Sequence, residues 1–84
     1  MNLKFSKSSE KFLKKCDDKL KKRLIERIKK LRENPFPSEC KRVKGREEKS
    51  FRVRVGKHRI LYVVFDKENF LFVSDIDKRS RVYD

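Results

Sequence analysis

Apolar residues recur at helical spacing in the first half of the chain and alternate with polar residues in the second half. The clearest helical stretch is marked by apolar residues three or four positions apart: Leu20, Leu24, Ile25, Ile28 and Leu31. This period predicts an amphipathic helix. Asp17 and Asp18 are typical of a turn and an N-cap before it, and Asn34 and Pro35 end it as a C′ residue and a helix breaker.

A short strand and a shorter helix are expected before that helix. Leu3 and Phe5 alternate with polar neighbours, as in a β-strand. Ser6 or Ser8 can then cap a helix. Its apolar side would consist of Phe12, Leu13 and Cys16. The two helices would form an antiparallel helical hairpin, followed by a connecting loop over residues 35–40.

From residue 41 the pattern changes to the two-residue period of β-strands. A short strand over residues 42–45 precedes residues 51–55, where apolar and basic residues alternate. Residues 58–65 are strongly apolar, which predicts a central strand buried on both faces. A turn over residues 66–69 leads to a last strand, residues 70–76. An N-terminal strand, a helical hairpin and an antiparallel meander sheet together predict an α+β fold.

Length and charge narrow the class of protein without identifying its ligand. The 84 residues provide room for one domain, residues 1–84, with one core. Charged residues make up 46% of the chain, but the apolar residues fall in periodic runs, which disordered chains lack. The formal net charge of +13 attracts polyanions. RNA, DNA, an anionic membrane and an acidic protein all remain possible partners.

Apolar runs and cysteine usage favour a cytoplasmic protein. No apolar run approaches the ~20 residues that cross a membrane, and the N-terminal residues lack the apolar segment of a signal peptide. Cys16 and Cys40, with a single histidine, do not form a zinc site of ordinary spacing, so we expect two reduced thiols. The acidic residues are not clustered as a hydrated magnesium site requires. We therefore expect neither a metal nor a cofactor.

The candidate chemistry is concentrated in residues 51–61. The Gly-Lys pair at positions 56–57 suits a two-residue type II′ hairpin turn, which would place Arg54 opposite Arg59. Directly opposed residues share a face, so Arg52, Arg54 and Arg59 would converge on one face while the alternate residues meet the helices. Opposed like charges destabilise a sheet, and a bound anion would relieve that repulsion. The planar guanidinium matches phosphate, so this cluster predicts a phosphate site, with a solvated basic edge as the alternative.

RNA cleavage is one chemistry that such a cluster can support, because RNA carries its own nucleophile, the 2′-hydroxyl. Positioned cations usually supply the largest catalytic contribution. The candidates are Arg52, Arg54, Arg59 and Arg79. The proton carrier is less evident, since the single histidine, His58, lies at the predicted turn. Tyr83 could serve, because nearby cations would lower its pKa. It could also stack on a base or pack onto the sheet.

Two further candidates for the base precede the arginine-rich strand. Glu47 and Glu48 could accept a proton, although a solvated charged loop is the simpler interpretation. A catalyst with so few proton carriers would gain most of its rate from alignment of the RNA by another body.

The order of elements and three motifs resemble the RelE/ParE toxin superfamily. The motifs are VKG from Val43, FRVRVGKHRILYVV from Phe51 and KRSRVY from Lys78. The resemblance covers nearly the whole chain and is strongest to RelE-type members. It implies a RelE/ParE-like fold and a metal-independent, ribosome-dependent endoribonuclease. Such an enzyme cleaves mRNA in the A site and leaves a 2′,3′-cyclic phosphate.

The resemblance also assigns roles to individual residues. The implied catalytic set is Arg52, Arg54, Arg59, Arg79 and Tyr83, and the implied RNA-binding set is Lys44, Lys78 and Arg81. Some relatives have lysine at the first two positions as a proton carrier. Arginine at both positions favours a purely electrostatic role, because arginine does not readily release a proton.

The same resemblance implies partners and leaves two alternatives open. The partners are a RelB-like antitoxin that wraps and inhibits the toxin, the ribosome with its mRNA, and operator DNA bound only through the antitoxin complex. The hairpin motif is shared across the superfamily and therefore specifies fold better than activity. The alternatives are a ParE-type inhibitor of DNA gyrase and a catalytically inactive RNA-binding relative.

Overall fold

The computed structural model of the protein describes residues 1–43 and 49–78. Its elements are β1 (Asn2–Phe5), α1 (Lys7–Lys15), α2 (Asp18–Glu33), β2 (Lys41–Arg42), β3 (Ser50–Val55), β4 (His58–Phe65) and β5 (Phe70–Lys78). The predicted α+β fold, with one strand, two helices and then a meander, is confirmed. Neither of the helices in the described part of the chain has the length and apolar character needed to span a bilayer.

Side-chain caps fix where the two helices begin. The hydroxyl oxygen of Ser6 accepts a hydrogen bond from the backbone N–H of Ser9, and the buried Ser9 hydroxyl donates to the carbonyl of Val73 in β5. Asp17 caps α2 by accepting a hydrogen bond from a backbone N–H in the first turn. Asn34 is the C-cap of α2, not the C′ residue that the sequence predicted. The caps therefore set the helix boundaries and tie the start of α1 to the sheet.

The five strands form one sheet in the order β1-β5-β4-β3-β2. β4 lies at its centre, and the middle residues of β4 are buried, as predicted for residues 58–65. β1 runs parallel to β5, whereas the other neighbouring strands are antiparallel. The pairing of β4 with β5 shifts by one residue between Leu61 and Tyr62.

The β3–β4 hairpin has the predicted register. Arg54 lies opposite Arg59, and the turn contains Gly56 and Lys57. Gly56 has a φ of +60°, and Lys57 has no positive φ, which matches a type II′ turn. A Cβ on Gly56 would also lie 3.3 Å from a guanidinium nitrogen of Arg23 in α2. The glycine therefore provides the turn conformation and leaves room for the Arg23 side chain at the hairpin tip.

The core lies between the sheet and the helices. Three buried side chains of α2 belong to it: Leu24, Ile28 and Leu31. Their buried partners on the sheet are Val53, Val55, Ile60, Tyr62, Leu71, Val73 and Ile76. Because side chains alternate along a strand, Arg52 and Arg54 point to the face turned away from the helices.

Tyr62 connects the core to the loop after α2. Its hydroxyl donates a 2.6 Å hydrogen bond to the carbonyl oxygen of Pro35, and burial raises the pKa of Tyr62 well above its ordinary value. We expect Tyr62→Phe to lower the free energy of unfolding by about 1 kcal/mol at neutral pH, because this hydrogen bond is lost.

The raised pKa of Tyr62 also predicts how stability varies with pH. Above about pH 10 the unfolded phenol ionises while the folded one stays protonated, so this group stabilises less as pH rises. We expect Tyr62→Phe to lose less stability than the native protein between neutral pH and about pH 11. Urea unfolding at both pH values measures this difference. Equal losses in the two proteins would contradict it.

Candidate nucleic-acid interface

Three arginines of β3 and β4 share the sheet face turned away from the helices. We call Arg52, Arg54 and Arg59 the arginine face. Arg54 is exposed, whereas Arg52 and Arg59 are half-buried. Cβ atoms of directly opposed residues in an antiparallel pair lie about 4.5–5.5 Å apart, so the side chains of Arg54 and Arg59 are close neighbours. The predicted convergence of the three arginines on one face is confirmed by this register.

A carboxylate of the chain itself lies against Arg59. Asp77 is opposite Arg59 in the β4–β5 pairing. Nε of Arg59 donates to Oδ1 of Asp77 and Nη2 donates to Oδ2, each over 3.0 Å. Both side chains retain partial exposure, 25% for Arg59 and 35% for Asp77. This bidentate pair fixes the plane of the Arg59 guanidinium and offsets some of its repulsion from Arg54. The repulsion between the two arginines therefore does not by itself require a bound anion.

The other predicted site residues are not all brought to this face. Lys78 ends β5 opposite His58, and this pair lies on the helix side of the sheet. The remaining candidates lie outside the described residues: Lys44, Glu47, Glu48, Arg79, Arg81 and Tyr83. The roles of Glu47 and Glu48 therefore stay predictions from the residues alone, and those of the other four stay predictions from the resemblance.

The histidine does not contribute to the arginine face. His58 is the first residue of β4, immediately after the turn, and not within it. Its ring packs edge-on against Phe12 of α1, with 5.7 Å between ring centroids. Within residues 1–43 and 49–78, no three His, Cys, Asp or Glu side chains come together as a metal site. What the arginine face offers is therefore anion binding and electrostatic stabilisation.

Comparisons with known proteins agree with the architecture. Residues 3–83 match the family model described as the ParE toxin of the type II toxin–antitoxin system parDE. Over 65 residues the chain is 38% identical to a Methanocaldococcus jannaschii protein assigned as the toxin RelE1, covering 74% of this chain and 71% of that protein.

Two solved structures have closely similar folds. The archaeal RelE–RelB complex from Pyrococcus horikoshii OT3 contains a chain with a TM-score of 0.82 and 24% identity, covering 96% of this chain and 97% of that one. The isolated E. coli RelE toxin has a TM-score of 0.81 and 19% identity, covering 96% of this chain and 86% of that one. At these identities the structural likeness establishes the fold.

Proposed function

We propose that this chain, which belongs to the RelE/ParE superfamily of toxins from type II toxin–antitoxin systems, is an endoribonuclease that cleaves mRNA in the ribosomal A site. The observation that carries the proposal is the arginine face, where Arg52, Arg54 and Arg59 share one side of two paired strands. Guanidinium groups bind phosphate oxygens through two hydrogen bonds and would stabilise the extra negative charge of the phosphorane. The attacking group is the 2′-hydroxyl of the RNA itself.

Alignment of the RNA by the ribosome would supply much of the rate. The single histidine is packed on the helix side of the sheet, so the arginine face receives no imidazole. A catalyst made mainly of fixed cations depends on a substrate already held in the attacking geometry. Tyr83, Glu47 and Glu48 are the proposed sources of proton transfer, with Arg79 as a further phosphate ligand.

A RelB-like antitoxin is the proposed inhibitory partner. The Pyrococcus horikoshii RelE of similar fold is found in a complex with RelB. The net charge of +13 would favour an acidic segment that wraps the toxin and covers the arginine face. We propose that operator DNA is bound through that complex, and that the toxin acts in the cytoplasm, where its mRNA target is translated.

Purified protein incubated with programmed ribosomes tests the cleavage directly. We expect new mRNA 5′ ends within the A-site codon, mapped by primer extension, and no new ends when the same mRNA is supplied without ribosomes. The 3′ product should carry a 5′-hydroxyl, which a polynucleotide kinase labels without prior phosphatase treatment. Intact mRNA on ribosomes that still translate a control message would overturn the proposal.

Inhibition of DNA gyrase is the second candidate function. The family model that matches this chain is described as a ParE toxin, and a ParE-type inhibitor of gyrase is one of the alternatives that the resemblance leaves open. A supercoiling assay with purified gyrase and relaxed plasmid distinguishes the two activities. We expect supercoiling to proceed normally at protein concentrations that cleave mRNA completely on ribosomes. Blocked supercoiling together with intact mRNA would establish the second candidate in place of the first.

A further inference from the structure

We infer that the RNA strand held at the arginine face continues around the edge of β3 into a basic groove beside α2, where one base stacks on Phe36. The inference rests on the proposed function, since it extends the path of the same RNA. It assigns a binding role to α2 and to the loop that follows it.

The groove consists of three adjoining cavities that share one residue. Their volumes are about 290, 370 and 180 Å³, and Arg27 of α2 lines all three. Arg54 lines the first two, and Arg52 lines the second. Since Arg52 and Arg54 belong to the arginine face, the groove begins where the proposed cleavage site ends.

The charge of the groove suits a phosphate backbone. Its cationic lining consists of Arg23, Arg27, Lys30, Lys41, Arg52 and Arg54. Among the described residues, its carboxylates are Glu26 and Glu39, and Glu39 is paired with Arg27. The ion pair holds the Arg27 guanidinium in place at the point common to all three cavities. The excess of cations would attract a polyanion along the whole length of the groove.

Phe36 lies in the loop after α2, between residues that line the last cavity. Asn34 and Pro37, on either side of it in sequence, line the last cavity. Phe36 is 47% exposed, and it is the exposed large apolar side chain of the described residues. Its ring packs edge-on against Phe51, with 5.0 Å between ring centroids, and Phe51 in turn contacts Tyr62. The ring is therefore exposed yet supported from below by the core.

An exposed ring that adjoins in sequence the lining of a cationic groove fits single-stranded RNA better than a protein segment. The centre of a protein interface is usually a contiguous apolar patch, depleted in charge. Proteins that bind single-stranded nucleic acid instead combine a positive groove for the backbone with aromatic side chains on which bases stack. Phe36 and the groove lined by Arg27 provide both parts of that combination.

Binding of a fluorescently labelled, short single-stranded RNA, followed by anisotropy, tests the aromatic contact. We expect Phe36→Leu to weaken binding by about tenfold, because the leucine keeps the apolar volume and loses the stacking face. Phe36→Tyr should bind as the native protein does, because it keeps the ring. Native affinity in Phe36→Leu, or a loss in Phe36→Tyr equal to that in Phe36→Leu, would overturn the inference.

A matched pair of lysines tests the groove. Lys30 and Lys14 are both exposed in the last turn of a helix, but Lys30 lines the groove beside α2 whereas Lys14 lies in α1. We expect Lys30→Ala to reduce the slope of log affinity against log salt by about 1, and Lys14→Ala to leave it unchanged. Equal effects of the two variants would contradict a defined path.

A competitor and the cleavage assay separate the remaining outcomes. Poly-glutamate should displace the labelled RNA from the native protein much less well than unlabelled RNA of equal charge. Equal displacement would overturn the inference, because the groove would then accept any polyanion. If the native protein fails to cleave mRNA on ribosomes while Phe36→Leu still weakens RNA binding, the groove stands and the proposed function fails. If the native protein cleaves mRNA on ribosomes while Phe36→Leu binds RNA with native affinity, the proposed function stands and the inference about the groove fails.

Discussion

Arg54→Ala is expected to slow mRNA cleavage on programmed ribosomes by about 10²–10³-fold, which is the usual cost of removing one preorganised donor from a developing oxyanion. Arg54 is exposed on the arginine face and is not part of the core. The free energy of unfolding should therefore change by less than about 0.5 kcal/mol. Single-turnover cleavage at saturating protein, with urea unfolding of the same preparations, measures both quantities.

An arginine on the opposite side of the same sheet provides the control. Arg42 is exposed on β2 and lies opposite Phe51, so it shares the helix side of the sheet. We expect Arg42→Ala to cleave at nearly the native rate, although it loses the same charge as Arg54→Ala. Arg54→Lys should be intermediate, because it keeps the charge without the planar fork. Equal loss of activity in Arg42→Ala and Arg54→Ala would show that net charge, not the arginine face, determines the rate.

Asp77→Asn is expected to bind RNA more tightly while cleaving it more slowly. Removal of the carboxylate takes a negative charge away from the phosphate site, which should lower KM severalfold. The same change loosens the bidentate contact that orients Arg59, and displacement of such a group by about 1 Å can cost about 100-fold in rate. We therefore expect kcat to fall between about 10-fold and 100-fold.

A second aspartate of β5 provides a control that separates the orientation of Arg59 from the loss of a negative charge. Asp75 accepts a hydrogen bond from the backbone N–H of Ile76 over 2.9 Å. Asp75→Asn removes the same charge from β5 and leaves the pair of Arg59 with Asp77 in place. It should change kcat by less than about twofold. A kcat for Asp77→Asn that is no lower than that of Asp75→Asn would exclude an orienting role for Asp77.

Local patterns were sufficient to predict the part of the fold that carries the arginine face. The Gly-Lys turn fixed the hairpin register, because a two-residue loop leaves no freedom in the pairing of the flanking strands. That register placed Arg54 opposite Arg59 and Arg52 on the same face. The burial of β4 and the apolar face of α2 likewise follow from residue spacing alone.

Long-range pairings could not be predicted in the same way. The β4–β5 register shifts between Leu61 and Tyr62, and no local signal marks such an irregularity. The pairing of Asp77 with Arg59, and the position of Lys78 on the helix side, both depend on that shifted register. The contact of Arg23 with the hairpin tip depends on how α2 lies across the sheet. Roles for Arg79 and Tyr83 remain predictions from the resemblance.

The pairing of β1 with β5 has a consequence for how the protein is made. β1 finds its neighbour in β5, the last strand that the structure describes, through pairs such as Leu3 with Leu71. The hydroxyl of Ser9, at the start of α1, likewise needs the carbonyl of Val73. Because a ribosome synthesises β5 after β1 to β4, the nascent chain cannot complete this sheet until β5 has emerged. We therefore expect the protein to become able to act on ribosomes only after β5 has left the exit tunnel and paired with β1.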